Sequence, residues 1–156
     1  MRLTLVSVGR TSEPFVREAC TTYAEKIRRY ASLHLAEVPE ERISSRGKKE
    51  YIVRQEGLRI QEKLWPGAFI VALDEKGRPL SSLTFACFLE KWSHSGIKEI
   101  IFLLGGPYGL DEALKKEADF CLSLSSMTLT HGMAKMVLLE QIYRAFTIFQ
   151  GTPYHK

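Results

Sequence analysis

Short runs rich in apolar residues alternate with segments of helical periodicity along nearly the whole chain, and this alternation limits the fold more than any other feature. The five runs are residues 3–8, 33–38, 68–73, 100–104 and 120–124. Residues 68–73 are apolar at every position, which suits a parallel strand that is covered on both faces. Strands that alternate with helices predict the α/β class, with a parallel sheet in a single domain over residues 1–156.

The helical segments have recognisable starts and ends. After Glu13, apolar residues recur every three or four positions as far as Tyr30, which predicts an amphipathic helix with Ser12 as its cap and Pro14 in its first turn. Residues 40–49 are predicted to be an exposed loop and residues 74–79 a turn. Further helices are predicted over residues 53–64, 81–92, 111–119 and 133–150.

The cysteines and histidines give no sign of a metal site. Cys20, Cys87 and Cys121 are widely separated and include no Cys-x-x-Cys pair, a pattern typical of small buried side chains in a reducing compartment. Cys87 is expected on the inner side of its helix, together with Leu83, Ala86 and Leu89. The four histidines include no pair at helical spacing, so neither a disulfide nor a metal is predicted.

The bulk properties narrow the class of protein. No apolar run approaches the roughly 20 residues that a membrane-spanning helix needs. The amino terminus has neither the charged start nor the apolar length of a signal peptide, so we expect a cytoplasmic protein without a membrane segment. The net charge of +4 is compatible with nucleic-acid binding but is also common in proteins that bind none.

Three predicted strands end in segments that suggest a ligand site. Ligands bind beyond the carboxyl ends of parallel strands, which brings Asp74, Gly105 and Ser125 to one rim. The glycines at 105, 106 and 109 either let a flat ligand approach the backbone or form a tight turn, and spacing favours neither. A side chain at Gly106 is expected to enter the ligand's space. The Rossmann fingerprint and the Walker loop are both missing, which disfavours a dinucleotide or a triphosphate.

Residues 124–129 follow the fifth strand and combine apolar flanks with small hydroxyl side chains. This composition is typical either of a loop that grips an adenine edge or of an ordinary strand exit that leads to a helix cap. His131, which comes shortly after, is either a helix-start residue or an acid–base group.

The last predicted helix is apolar on most of its sides, with Glu140 and Arg144 on a narrow polar line. Such a helix must be buried on most sides, which predicts a self-association interface. Glu140 and Arg144 have the spacing of a helical ion pair, although the arginine is also placed to orient the tail or a substrate phosphate. Gly151 is suited to end the helix, and the tail at 153–156, Pro-Tyr-His-Lys, is unusually rigid and titratable for a chain end.

Several segments form one recognisable set: GGPYGL at 105–110, LSSMTL at 124–129, LEQIYRAF at 139–146 and YHK at 154–156, with residues 3–9 and 37–39. Together they resemble the ribosomal RNA large subunit methyltransferase H family of SPOUT methyltransferases over essentially the whole chain. The resemblance implies a homodimer with a deep trefoil knot near the carboxyl end. It also implies methylation of N3 of a pseudouridine in the helix 69 hairpin of 23S ribosomal RNA, in the assembled ribosome, with S-adenosyl-L-methionine as methyl donor.

Individual residues of the tail and the last helix are candidates for roles in the implied reaction. His155 is expected to act as a base or proton relay, since an imidazole titrates near neutral pH and lies on a segment that can fold over the cleft. Tyr154 is expected to stack on the target base and Arg144 to hold the tail or a phosphate, and no metal is implied. Thr130 stands in place of an expected proline and Lys135 in place of an expected arginine. The implied cofactor-binding residues are Leu73, Gly105, Gly106, Leu124, Ser125, Ser126, Met127, Thr128 and Leu129.

Two other functions stay open at this point. One is a related methyltransferase that modifies another RNA nucleotide, and the modified nucleoside would distinguish it. The other is a catalytically silent RNA-binding dimer, which need not retain the cofactor.

Overall fold

The computed structural model describes residues 1–42 and 48–155, which form one parallel sheet with helices on both faces. Residues 43–47 of the predicted loop and Lys156 of the tail lie outside the described residues. The alternation of strands and helices confirms the predicted α/β class. In chain order the elements are β1 (Arg2–Val8), α1 (Pro14–Arg28), β2 (Ser32–Val38), α2 (Lys49–Gln61), β3 (Phe69–Pro79), α3 (Ser82–His94), β4 (Glu99–Leu104), α4 (Glu112–Glu117), β5 (Phe120–Ser123) and α5 (His131–Phe149).

The strand order is β2-β1-β4-β3-β5, and every pairing is parallel. β4 lies at the centre and is buried at all of its positions, which explains why every residue after Glu99 is apolar. Because β4, β3 and β5 are neighbours, the segments that follow them emerge side by side at one edge of the sheet. The deep knot implied by the resemblance stays a prediction.

Successive residues of β1 and β4 pack into two separate apolar layers, because side chains alternate between the faces of a strand. Leu5 and Phe102 face the layer formed with α1, α3 and α5. Val6 and Leu103 face the smaller layer formed with α2 and α4. Truncating the fully buried Phe102 to alanine would cost about 3–5 kcal/mol of stability.

β3 is longer than predicted, since it continues to Pro79 through the segment predicted to be a turn. Its pairing with β5 changes register between Leu73 and Arg78, both of which lie opposite Leu122. The backbones are so close there that a Cβ on Gly77 would lie 2.8 Å from the carbonyl carbon of Leu122. The turn prediction was wrong because pairing with a distant strand outweighs local turn signals. Residues 74–77 instead form an irregular bulge.

The inner side of α3 matches the prediction in part. Ala86 and Leu89 are buried as expected, but Leu83 and Cys87 are exposed, and the helix buries Phe85 and Trp92 in their place. The Trp92 ring lies 4.7 Å from that of Phe69, measured between centroids. Large aromatic surfaces gain more from burial than Leu83 and Cys87 do, and they set the rotation of the helix.

The helix ends match the predictions in part. Pro14 occupies the first turn of α1 as predicted, but the cap is Glu13, not Ser12, and no side chain makes a cap hydrogen bond. Gly151 follows α5 with a φ of 62°, as expected of a left-handed terminator. Within residues 1–42 and 48–155, no helix is both long enough and apolar enough to cross a membrane.

Candidate functional site

A cleft of about 900 Å³ opens at the carboxyl edge of the sheet. It lies where the segments after β3, β4 and β5 meet, as the strand order requires. Ser126 is the one predicted cofactor residue that does not line it. The others all do: Leu73, Gly105, Gly106, Leu124, Ser125, Met127, Thr128 and Leu129.

The glycines after β4 form a tight turn. The amide of Gly109 donates to the carbonyl of Gly106 at 2.9 Å, and Gly109 has a φ of 84°. A Cβ on Gly105 would lie 2.4 Å from the carbonyl carbon of Gly109, so no side chain fits there. Of the two interpretations left open by the sequence, the tight turn is therefore correct for Gly105, and the turn also lines the cleft.

Gly106 has to lack a side chain, but for a different reason than predicted. A Cβ there would lie 2.8 Å from Oε2 of Glu56 and 3.1 Å from Cγ1 of Val8, so it would meet protein and not a ligand. The expectation that a side chain at Gly106 enters the ligand's space is therefore wrong. Gly57 of α2 has no room for a side chain either, since a Cβ there would lie 2.8 Å from Cβ of Asp111, the cap of α4.

Glu56 is the support behind this turn, and the sequence analysis missed it. Its side chain is 2% exposed, and its Oε1 accepts the amide N–H of Glu41 at 3.0 Å. Oε2 has no hydrogen-bond partner among the described residues. Burial raises the pKa of this carboxyl group. Its position between Ile52 and Ile60 on the buried side of α2 was the available sequence signal.

The segment 124–129 is fastened to the bulge of β3. The hydroxyl of Ser123 donates to the carbonyl of Glu75 at 3.0 Å, and that of Thr128 donates to Oε2 of Glu75 at 3.0 Å. Within the segment, the amide of Met127 donates to Oγ of Ser125 at 2.9 Å. The side chain of Met127 is 76% exposed at the mouth of the cleft. Two long-range bonds therefore fix a loop that has no regular secondary structure.

Asp74 and Lys115 form an ion pair on the cleft wall, with 2.6 Å between Oδ2 and Nζ. Lys115 also contacts Glu112, and Oδ1 of Asp74 accepts the amide of Lys76 at 2.8 Å. Burial would raise the pKa of Asp74, but the hydrogen bond and charge of Lys115 outweigh it and lower that pKa. The pair is therefore ionised at neutral pH.

α5 begins at the cleft. Thr130 caps it by accepting the amide of Met133 at 3.3 Å, so the departure from proline supplies a side-chain cap. His131 is the first helical residue, and its Nε2 lies 3.2 Å from the carbonyl oxygen of Arg10. Lys135 is buried against Glu37 at 2.8 Å and does not line the cleft.

The tail folds back on α5 and is held by one carboxylate. Oε1 of Glu140 accepts from Nε of Arg144 at 3.0 Å and from the hydroxyl of Tyr154 at 3.1 Å, which confirms the predicted ion pair. The guanidinium carbon of Arg144 lies 4.7 Å from the centre of the Tyr154 ring. Burial, with the hydrogen bonds to Tyr23 and Glu140, raises the pKa of Tyr154, so its hydroxyl stays a donor. A nucleobase that stacks on the Tyr154 ring has to share that ring with the guanidinium of Arg144.

The tail does not reach the cleft of its own chain. α5 lines the cleft through His131 and Ala134, whereas Tyr154 and His155 contact the helix at Glu140 and Arg144. With a rise of 1.5 Å per residue, these contacts lie roughly 10–20 Å further along the helix axis. One chain therefore does not bring the predicted catalytic residues together with the predicted cofactor residues.

Within residues 1–42 and 48–155, no group of three or more His, Cys, Asp or Glu side chains is placed to hold a metal ion.

The known proteins to which this chain is similar are described as methyltransferases. Residues 1–155 match the family model described as "Predicted SPOUT methyltransferase". A protein named Ribosomal RNA large subunit methyltransferase H from Syntrophotalea carbinolica is 45% identical over 155 residues, which are 99% of each chain. One of the same name from Carboxydothermus hydrogenoformans is 40% identical over 159 residues, and the match covers 100% of both chains.

Solved structures support the fold. A probable methyltransferase from Bordetella pertussis Tohama I matches with a TM-score of 0.58 over 92% of this chain and 93% of that one. At 15% identity this likeness concerns the fold alone. The family match and the two relatives, by contrast, extend over nearly the full length. The chain belongs to the SPOUT methyltransferase family.

Proposed function

We propose that this protein methylates N3 of a pseudouridine in the helix 69 hairpin of 23S ribosomal RNA in the assembled ribosome, with S-adenosyl-L-methionine as methyl donor. The relatives named Ribosomal RNA large subunit methyltransferase H support the RNA substrate. The nucleotide and the cofactor come from the motifs that carry the resemblance. As a protein that acts on ribosomes, it works in the cytoplasm.

The cleft is the observation that carries the proposal. Its volume of about 900 Å³ suits a small-molecule ligand. The Gly105 turn and the fixed segment 124–129 both line the cleft. Leu73, Gly105, Gly106 and the residues of 124–129 would hold the cofactor between them. When bound, S-adenosyl-L-methionine supplies a methyl group on a positively charged sulfur, which needs no metal for activation.

Two chains are required if the tail takes part in the chemistry. α5 carries partly exposed apolar side chains, among them Met133, Met136 and Phe149, which suit a two-fold homodimer interface. Because the tail lies along α5 and not in the cleft of its own chain, we place Tyr154 and His155 at the cleft of the partner. Each site is then built from the cleft of one chain and the tail of the other.

Mass spectrometry of nucleosides tests the reaction. Ribosomal RNA from cells that lack the protein should lose one methylated pseudouridine, and the wild-type protein should restore it. Labelled S-adenosyl-L-methionine and assembled ribosomes should reproduce the transfer in vitro. An unchanged nucleoside profile refutes the proposed reaction, and a lost methyl on a different nucleoside identifies another RNA methyltransferase. Binding of RNA without any transfer would indicate a silent RNA-binding dimer.

Mixed dimers test the shared site. One variant carries His155→Ala, and the other carries Gly105→Ala, which disrupts the cleft. In a site built from two chains, each heterodimer regains one complete site, so an equal mixture should recover about a quarter of the wild-type activity. If each site were built within one chain, the mixture would stay as inactive as its components.

A further inference from the structure

Arg144 fixes the side of the His155 ring that faces the protein. Nη1 of Arg144 lies 3.4 Å from Nδ1 of His155. The same guanidinium is held by Glu140 through Nε at 3.0 Å and through Nη2, and it covers the ring of Tyr154. Arg144 therefore has little freedom to turn away from the histidine.

This contact decides which ring nitrogen carries the proton. A guanidinium has only donors and stays protonated in proteins, so Nδ1 of His155 has to accept. The proton of the neutral ring then lies on Nε2, the nitrogen on the opposite side of the ring. His155 is exposed, so Nε2 is available to a bound molecule. The group that His155 offers to a substrate is thus an N–H donor, because the lone pair of Nδ1 is already used.

We infer that His155 acts on the substrate as a hydrogen-bond donor through Nε2, and not as the base that removes the N3 proton. This inference rests on the proposed function. The N3 proton first goes to solvent water, and N3 then bonds to the methyl carbon as the carbon–sulfur bond breaks. Before transfer, the charge on deprotonated N3 is shared with the two carbonyl oxygens beside it. A donor at one of these oxygens stabilises the nucleophile, and loss of such a donor typically costs about 100- to 1,000-fold in rate.

Glu140 is the positioning residue for this donor. Its carboxylate accepts from both Arg144 and Tyr154, the two side chains that fix the tail. It does not line the cleft, so its removal should lower kcat and leave cofactor affinity unchanged. Glu140→Gln is the matching variant because it keeps the size of the side chain and removes the charge.

Three substitutions of His155 separate a donor from a base. His155→Gln places an amide N–H₂ near the position of Nε2 and has no basic nitrogen, whereas His155→Asn places it near Nδ1. We expect His155→Gln to transfer methyl groups to ribosomes within about tenfold of wild type, and His155→Asn and His155→Ala to lose about 100-fold or more. Calorimetric affinity for S-adenosyl-L-methionine serves as the folding control for all three.

Each other outcome has a defined meaning. If His155→Gln is as inactive as His155→Ala while it still binds the cofactor, the donor role is wrong, and the result favours His155 as the base that removes the N3 proton. If His155→Asn is the active variant, the nitrogen assignment is wrong. If all three variants keep full activity, His155 has no role in the chemistry. A wild-type protein that transfers no methyl group to ribosomes refutes the proposed function itself, which distinguishes that failure from failure of the donor role.

Discussion

Gly105→Ala is the most direct test of the cleft, because the structure specifies what the added methyl group would meet. Its Cβ would lie 2.4 Å from the carbonyl carbon and 2.5 Å from the carbonyl oxygen of Gly109, and 2.6 Å from the amide nitrogen of Leu110. Non-bonded carbon atoms prefer a separation of about 3.5–4.0 Å, so the turn has to open by roughly 1 Å. All three atoms are backbone, so no side-chain rotation relieves the contact.

The cost follows from what the opening disrupts. Overpacking of this kind costs about 1–3 kcal/mol. The 2.9 Å bond from Gly109 to Gly106 closes the same turn, and its loss adds about 1 kcal/mol. If most of this displacement is at the cleft wall, affinity for S-adenosyl-L-methionine should fall about 10- to 100-fold, since 1.4 kcal/mol corresponds to tenfold.

Isothermal calorimetry measures the affinity, and urea unfolding measures the stability. Gly96→Ala is the matched control, because Gly96 has a φ of 80° and does not line the cleft. Apart from the two adjacent residues, no described atom lies within 4 Å of an added Cβ there. It should lose about 1–2 kcal/mol of stability through backbone strain and keep its cofactor affinity. A folded Gly105→Ala protein with wild-type affinity would refute the assignment of the cofactor to this cleft.

Three further predictions concern groups around the cleft. The folded pKa of Glu56 is raised above its ordinary value of 4.5. Glu56 therefore adds to the free energy of unfolding below pH 4.5, and this contribution is lost as the pH rises through the folded pKa. Wild-type stability should therefore fall with pH relative to Glu56→Gln in urea unfolding, and parallel curves would contradict this. Asp74→Asn should lower the free energy of unfolding by about 1 kcal/mol at pH 7, where the pair with Lys115 is ionised. This difference from wild type should vanish as the pH falls below 3.8 through the lowered pKa of Asp74. A difference that persists in acid would refute the ion pair as its cause. Thr128→Val removes the donor to Glu75 and should weaken cofactor binding about three- to tenfold with little change in stability, as calorimetry would show.

The positions of the strands were predictable because a strand that is buried on both faces has a short continuous run of apolar residues. Residues 100–104 of β4 are an uninterrupted apolar run, and the structure buries every one of them. The extension of β3 was not predictable, since Asp74, Lys76 and Gly77 carry the local chemistry of a turn. What makes this stretch a strand is close contact with Leu122, about 45 residues further along the chain. The composition of residues 74–79 alone does not indicate such a contact.

The location of the cleft was predictable for a similar reason, and its supports were not. The rule that ligands bind beyond the carboxyl ends of parallel strands already placed Asp74, Gly105 and Ser125 together. The role of Glu56 depends on how α2 packs behind the glycine turn, a tertiary fact. A buried carboxylate beside a turn that tolerates no Cβ links the stability of the protein to the shape of its ligand site.

The tail shows most clearly where sequence reasoning ends. Helical spacing alone predicted the pair of Glu140 and Arg144, yet nothing in the spacing shows that Tyr23 of α1 also meets Tyr154, 3.4 Å apart between their hydroxyl oxygens. These contacts order the tail when the chain folds, so its loss of conformational freedom does not have to occur when substrate binds. An ordered tail that lies roughly 10–20 Å from its own cleft along α5 is a fixed arm and not a lid. In the proposed homodimer, the substrate surface extends over both chains, because the tail of one chain lies at the cleft of the other.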